Sequence, residues 1–308
     1  MKLYNPKFWK YKNIISFSLL PLSLITQLFV LFKIRFTKVS NFKIPIICVG
    51  NIYIGGTGKT PLSILIGKEL SKLGKNPVII RKYYKMHNDE YSLIKENFGN
   101  LIMNSKRVLA IKEAENKNFD TVILDDGLQD YKINKDLSII CFNSNLDGNG
   151  FILPAGPLRE SLVAVKNAQF LIINGKKNLE FEKKILDINK TIKIYYSKYK
   201  PVNLEKFKQK KLLVIAGIGN PKSFLELLER YNLDVVKKYI FPDHYAFSKD
   251  EINRYVSEAK KNDYHIILTE KDYHRVKDFN LEKIDYLKVE LVIKEKENLI
   301  REIQRVYD

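Results

Sequence analysis

The chain has 308 residues, 45% of them hydrophobic, which is enough for a real core and for two α/β domains, with one large domain as the competing arrangement. Its 53 Lys+Arg against 35 Asp+Glu give a net charge of +18, which favours anionic partners such as nucleotides, phospholipids or nucleic acid, although lysines spread along a whole chain also make an ordinary solvated face. Two cysteines, Cys48 and Cys141, each in an apolar strand-like run, give no disulfide framework and no metal site, and suit a reducing cytosol. No internal repeat or low-complexity tract points to a solenoid or to disorder.

From Ile14 to Phe32 the chain carries no charge, and these 19 residues approach the length of a membrane span. Pro21, three serines, Thr26 and Gln27 interrupt the run, and basic residues flank it on both sides: Lys7, Lys10 and Lys12 before, Lys33, Arg35 and Lys38 after. That layout favours a helix lying in the headgroup region of an anionic leaflet, with Phe8 and Trp9 as interfacial anchors, over a true span or a buried core helix. No small-x-small cleavage site follows, which disfavours a signal peptide.

Next, strand-like and helix-like runs alternate, the signature of a parallel sheet with helices on its faces. Lys43–Val49 reads as the first strand, Thr60–Leu73 as its helix and Pro77–Arg81 as the second strand. Between the first strand and its helix lies Tyr53-Ile54-Gly55-Gly56-Thr57-Gly58-Lys59-Thr60, a glycine-rich loop that reads as a phosphate cradle. Backbone N–H groups converge there on an anion, Lys59 reaches the terminal phosphates and the Thr60 hydroxyl ligates magnesium. The usual P-loop pattern wants a glycine where Tyr53 stands, and a merely structural turn is the bland alternative.

Lys82–Tyr91 reads as a polar, irregular loop at the carboxyl end of the second strand, where such sheets place chemistry; it contains His87, Asp89 and Glu90. A carboxylate there suits proton abstraction or magnesium, though acids populate loops anyway. Ala110–Asn118 is the next helix, and the buried strand Thr121–Leu124 runs into Asp125-Asp126. Two acids at a strand end are ordinary turn formers, but together with a P-loop they read as metal-holding groups. Leu137–Phe142, Phe170–Asn174 and Ile192–Tyr196 continue the strands, and Phe151–Glu160 is a Pro/Gly loop opening a helix, with Arg159-Glu160 either a phosphate or sugar clamp or a common surface pair.

Lys198–Lys211 reads as a linker. A second α/β unit starts at Leu212, its Gly217-Ile218-Gly219 turn lacking the third glycine of a dinucleotide fingerprint. Phe224–Tyr231 is its helix, His265–Leu268 a later strand, and Lys294–Val306 a terminal helix able to pack back on the first domain. Phe241-Pro242-Asp243-His244-Tyr245 sets a histidine suited to neutral-pH proton transfer beside an acid that otherwise caps a helix starting near His244. His87, His265 and His274 show no ligand-like spacing and read as incidental.

Taken together, Leu19–Ser23, Val49–Asn51, Gly55–Pro61, Asp89-Glu90, Asp125–Gln129, Leu153–Glu160, Gly217–Pro221, Phe241–Tyr245 and Thr269–Asp272 resemble one family, the tetraacyldisaccharide 4′-kinases of lipid A biosynthesis, in its order and over nearly the whole chain. The resemblance implies ATP- and Mg2+-dependent phosphorylation of the 4′-hydroxyl of an acylated glucosamine disaccharide 1-phosphate at the cytoplasmic face of the inner membrane. It implies an apolar membrane-associated segment over 1–40, a P-loop kinase domain over 41–207 and a smaller α/β domain over 208–308. By position, Asp89 and His244 are a catalytic pair acting with Lys59 and Arg159; Tyr53 to Thr60 hold the nucleotide; Thr60, Glu90, Asp125 and Asp126 lie at the metal; Glu160 meets substrate. The partners implied are the lipid substrate and an anionic membrane surface. No nucleic-acid signature is present and no obligatory protein partner is evident.

Three stretches depart from the family pattern. Ile80-Arg81-Lys82-Tyr83-Tyr84 stands where Ser-Arg-Gly-Tyr-Gly is usual, Asn88 replaces a glycine before Asp89, and Asp130 replaces a histidine after Gln129. The competing functions are another P-loop kinase or NTPase acting on a soluble substrate, which makes the apolar N-terminus core, and a basic nucleotide-binding regulator without turnover.

Overall fold

The computed structural model describes residues 6–84, 88–144, 148–279 and 284–308; His87 lies outside them. In chain order the elements are α1 (Ile14–Ser18), α2 (Leu20–Phe36), β1 (Ile46–Gly50), α3 (Lys59–Lys72), β2 (Pro77–Lys82), α4 (Asn88–Asn97), β3 (Leu101–Asn104), α5 (Arg107–Asn116), β4 (Thr121–Asp125) and β5 (Leu137–Asn143). Then come β6 (Phe170–Asn174), α6 (Leu179–Ile188), β7 (Lys193–Pro201), β8 (Leu212–Ala216), α7 (Pro221–Arg230), β9 (Val235–Ile240), α8 (Lys249–Asn262), β10 (His265–Thr269), α9 (Glu270–Val276), β11 (Ile284–Leu287), β12 (Val289–Ile293) and α10 (Lys296–Gln304).

The chain gathers into two units. The larger takes residues up to Tyr83, Phe98–Lys198 and Val292–Asp308; the smaller takes Tyr84–Asn97 and Tyr199–Leu291. An eight-stranded sheet in the order β12-β7-β6-β5-β1-β4-β2-β3 is parallel wherever β1 to β7 pair with one another. Every residue of β1 and β4 is buried, as expected of strands covered by helices on both faces. Ile46, Cys48, Val78, Ile80 and Leu124 pack with α5, and further along the same face Ile140, Phe142, Leu171 and Phe181 pack with α6, Leu128 touching both clusters. Both cysteine thiols are buried, which pushes them up to about 11 and about 12, so they are inert fillers.

The order reverses at β1, which lies between β5 and β4. A parallel sheet opens a crevice at its carboxyl edge where two neighbouring strands send their connections to opposite sides, and β1 feeds the glycine loop there. Tyr307 closes the C-terminal end of the unit: its hydroxyl lies 2.6 Å from Thr121 Oγ1 at the start of β4, and Lys193 pairs with Glu302 at 2.6 Å.

The smaller unit carries its own sheet in the order β11-β10-β8-β9, parallel throughout. Phe224, Leu227 and Leu228 of α7 pack on one face, and Ile252, Val256 and Ala259 of α8 pack on the other.

Several expectations are corrected. Asp89 and Glu90 stand in the first turn of a helix, not in an irregular loop, because Asn88 opens an amphipathic run whose Tyr91 and Ile94 reach the core. β3 is missing from the expected strands, its apolar run being only Leu101-Ile102-Met103, and β7 continues to Pro201 into the supposed linker. Arg159-Glu160 open no α-helix; Ser161 caps a 3-10 turn at Leu162–Asn167. Nor does Asp243 cap a helix at His244, since α8 starts at Lys249 behind the Ser248 cap.

The N-terminal apolar run is two helices, broken at Leu19 ahead of Pro21 in the first turn of α2. Among the described residues no helix is long and apolar enough to cross a membrane. The core-helix reading is overturned by exposure, which reaches 87% at Ile14, 61% at Ile25 and 68% at Phe29. The buried positions are instead Ser16 and Ser23. Ser23 Oγ donates to the Ile152 carbonyl at 2.8 Å and accepts from Ala155 N at 3.1 Å, while Trp9 Nε1 donates to the Pro154 carbonyl at 2.9 Å. Hydroxyls inside and Leu, Ile and Phe outside is the inverse of a water-facing helix.

Candidate active site

In the larger unit the site begins at the carboxyl end of β1. Gly55 (φ 122°) and Gly58 (φ 88°) take left-handed backbone that side chains resist, which bends the loop between Tyr53 and α3. Asn51, fully buried, donates from Nδ2 to the Gly55 carbonyl at 3.3 Å and to Thr57 Oγ1 at 3.0 Å. Asn143 Nδ2 holds the Gly56 carbonyl at 2.9 Å, Ile54 N donates to the Pro157 carbonyl at 2.9 Å, and the Tyr53 ring packs edge-on against Phe142. The glycine loop is thus braced from β1, β5 and the 151–160 loop, with the N-terminus of α3 behind it.

At the end of β4 stand Asp125 and Asp126. The Thr60 hydroxyl donates to Asp125 Oδ2 at 2.9 Å, and Ser63 Oγ donates to Oδ1 at 3.3 Å. Arg81 pairs with the same carboxylate and donates to Thr60 Oγ1 at 3.2 Å. Asp126 faces two cations, Lys59 at 3.7 Å and Arg159 at 2.9 Å. Burial pushes the Asp126 carboxyl up, but Lys59, Arg159 and Arg81 outweigh it and hold the group down at about 2. Arg159 also donates to Gln129 Oε1 at 3.3 Å, and Gln129 Nε2 donates to Glu160 Oε1 at 2.7 Å and to the Asn51 carbonyl at 3.0 Å. Arg107 donates to the Asp126 carbonyl at 2.7 Å and pairs with Asp130 at 3.5 Å, so the acid in the family's histidine position lies within the same network.

The smaller unit holds a second constellation, brought together from α4, the 241–248 turn and α9. His244, in left-handed backbone at φ 56°, sets Nδ1 3.3 Å from Asp89 Oδ2, while its Nε2 lies 3.4 Å from Lys271 Nζ. With Nε2 accepting from the ammonium, Nδ1 carries the proton turned toward Asp89. Lys271 also meets Glu90 at 3.0 Å and Asp243 at 3.1 Å. Arg275 donates to Asp89 Oδ2 from Nε at 2.8 Å and again from Nη2. Burial raises the Asp89 carboxyl, but the His244 hydrogen bond, Lys271 and Arg275 together hold it well below the ordinary carboxylate range. Burial opposes charge on Lys271, yet Glu90, Asp243 and Asp89 keep its ammonium raised.

The larger unit therefore assembles Tyr53, Ile54, Gly55, Gly56, Thr57, Gly58, Lys59, Thr60, Asp125, Asp126, Arg159 and Glu160, and the smaller unit assembles Asp89, Glu90 and His244. Among the described residues no group of three His, Cys, Asp or Glu gathers as a metal cage. Sequence reasoning did not single out Arg81, Arg107, Lys271 or Arg275 for a role. Lys271 lies inside the Thr269–Asp272 block, whereas no pattern in the sequence sets Arg275 apart.

A parallel sheet whose first strand feeds a braced Gly-Gly-Thr-Gly-Lys-Thr loop, with a carboxylate hydrogen-bonded to the loop's threonine, defines a P-loop nucleotide-handling fold. The family model for tetraacyldisaccharide-1-P 4′-kinase matches residues 15–308, and the chain belongs to that family. It is 43% identical over 309 residues to the tetraacyldisaccharide 4′-kinase of Pelagibacter ubique, covering 98% of each chain. Against the enzyme of the same name from Wigglesworthia glossinidia brevipalpis it is 33% identical over 301 residues, covering 88% of this chain and 80% of the relative. The crystal structure of LpxK from Aquifex aeolicus, solved in complex with ATP, superposes with a TM-score of 0.73 at 22% identity, covering 96% of this chain and all of that one, and so shares the fold.

Proposed function

We propose that the protein transfers the γ-phosphoryl group of ATP to the 4′-hydroxyl of a tetraacyl glucosamine disaccharide 1-phosphate, the step its kinase family is named for. The observation that carries the reading is the Thr60–Asp125 hydrogen bond beside Lys59 and Asp126, at the foot of a glycine-rich loop that leads into the N-terminus of α3. A hydroxyl and a carboxylate at this spacing suit Mg2+: Thr60, Asp125 and Asp126 would hold it, and it would supply positive charge to the β/γ-phosphates.

This chain's own residues do the rest. Lys59 and Arg159 spread positive charge over the phosphoryl oxygens as the bond to ADP breaks. Asp89 accepts the proton of the 4′-hydroxyl as its oxygen bonds to phosphorus, and His244 stabilises that carboxylate. Glu160, whose carboxylate accepts from Gln129 Nε2, would meet the sugar by the family pattern.

Burying acyl chains is worth about 0.8 kcal/mol per CH2, so a four-chain lipid stays in its bilayer and the enzyme goes to it. The exposed Leu, Ile and Phe of α1 and α2, with flanking lysines, suit a peripheral or monotopic seat on an anionic leaflet at the cytoplasmic face. The test is an assay with labelled ATP, Mg2+ and the acylated disaccharide phosphate in detergent, beside the deacylated disaccharide and a blank without acceptor. Labelled lipid is expected. Equal transfer to the deacylated acceptor would favour a soluble substrate, and ATP turnover indifferent to any acceptor would overturn the kinase reading.

A further inference from the structure

The bonding of the Asp89 carboxylate is one-sided. Its Oδ2 receives Nε and Nη2 of Arg275 and lies 3.3 Å from His244 Nδ1 and 3.8 Å from Lys271 Nζ. Its Oδ1 is buried and, among the described residues, has no hydrogen-bond partner. A buried carboxylate oxygen with no donor is costly, and the native state retains one where a donor arrives with a ligand.

Arg275 is itself fixed. Its Nη1 donates to the Gly217 carbonyl at 2.7 Å and to Asp272 Oδ1 at 2.7 Å. Asp272 in turn accepts from Gly217 N at 3.0 Å and Thr269 Oγ1 at 2.6 Å. The guanidinium therefore ties the start of α4 to the turn after β8 and to α9. A planar fork with donors on two edges can do this at once, and a lysine ammonium at the same place cannot.

We propose that Arg275 is a positioning residue for the phosphoryl transfer: it fixes Asp89 by Oδ2 in a single rotamer and leaves Oδ1 as the open acceptor for the sugar hydroxyl. The inference rests on the reading of Asp89 as the proton acceptor. In the step itself the hydroxyl proton passes to Oδ1, the hydroxyl oxygen bonds to phosphorus, and ADP leaves. Arg275 forms no bond to substrate and undergoes no change of charge.

The experiment compares Arg275→Ala, Arg275→Lys and Asp89→Ala in the lipid assay, with the KM for ATP and the thermal midpoint measured for each. Because misplacing a reacting group by about 1 Å costs about 100-fold, Arg275→Ala should lower kcat by about that factor with the KM for ATP within about twofold. Arg275→Lys, which keeps a charge but not the fork, should still lose about tenfold. Guanidinium chloride should restore part of the turnover of Arg275→Ala beyond an equal concentration of sodium chloride, and none to Asp89→Ala. If Arg275→Ala does not fold, Arg275→Lys decides alone. Turnover within about threefold of wild type in a folded variant, failure of guanidinium to restore a folded Arg275→Ala, or a loss that tracks a lowered thermal midpoint overturns the proposal. Asp89→Ala with near-wild-type turnover overturns the base reading itself, whatever the arginine variants do.

Discussion

The nucleotide half and the proton-handling half of this enzyme are built in opposite ways. Eight consecutive residues, Tyr53 to Thr60, form the glycine-rich loop proposed as the phosphate cradle, and two more, Asp125 and Asp126, arrive at the end of a neighbouring strand. The acceptor half takes Asp89 from one helix, His244 from a turn and Lys271 with Arg275 from another helix, and its Arg275–Asp89 contact spans 186 positions of sequence. Charge is also handled differently. Asp126 faces Lys59 and Arg159, the two cations proposed to serve the phosphates, while Asp89 lies against Lys271 and Arg275, proposed to orient it. A backbone anion site needs only local conformation, whereas a poised carboxylate needs a prepared surrounding, and distant chain must supply it.

The largest effect expected from breaking this contrast is at Lys59. Lys59→Ala should cut phosphoryl transfer by at least about 1000-fold while the thermal midpoint stays near wild type, since the lysine contributes charge at the phosphates more than packing. Asp89→Ala should lower turnover by about 100- to 10,000-fold with little change in ATP affinity, the split measured by steady-state kinetics and nucleotide titration. Serine at Leu28, Phe29 and Phe32 together should weaken partition onto anionic vesicles by about 100-fold, read by sedimentation, without touching ATP affinity. His244→Ala should cost about tenfold in turnover, because the carboxylate remains.

The smallest effect expected is on acid stability. Asp126 is held at about 2, below the ordinary carboxylate value, and Asp89 is lowered too. Their contribution is therefore complete above about pH 4 and is lost as the pH falls toward the folded-state value. Asp126→Asn should flatten that limb of the stability curve in denaturant titrations between about pH 5 and pH 2.

The sequence made the first half readable because its signals are local: a strand of five apolar residues, left-handed glycines, and a lysine and a threonine at the head of a helix. The reversal of strand order at β1 was not legible there, because alternating strands and helices do not say which strands pair. The Asp89 region reads as irregular in the sequence because a short helix with few apolar residues carries weak periodicity. Arg275 had no readable signal, since an arginine in a helix with exposed lysines looks like surface until the chain brings Asp89 to it. In the N-terminal run, length alone suggests a span and the flanking basic residues an interfacial helix; only burial shows that its serines, not its phenylalanines, face inward.

The terminal segment has a consequence for the order of events during synthesis. Residues 292–308 complete the larger unit, with Tyr307 against Thr121 and Lys296 paired with Glu69 at 3.3 Å. The nucleotide-binding unit is therefore unfinished until its last segment has left the ribosome, whereas Tyr199–Leu291 has already emerged. A nascent chain stalled before Val292 should present the glycine loop on a sheet still missing α10, and ATP competence should appear only once residues 292–308 have emerged.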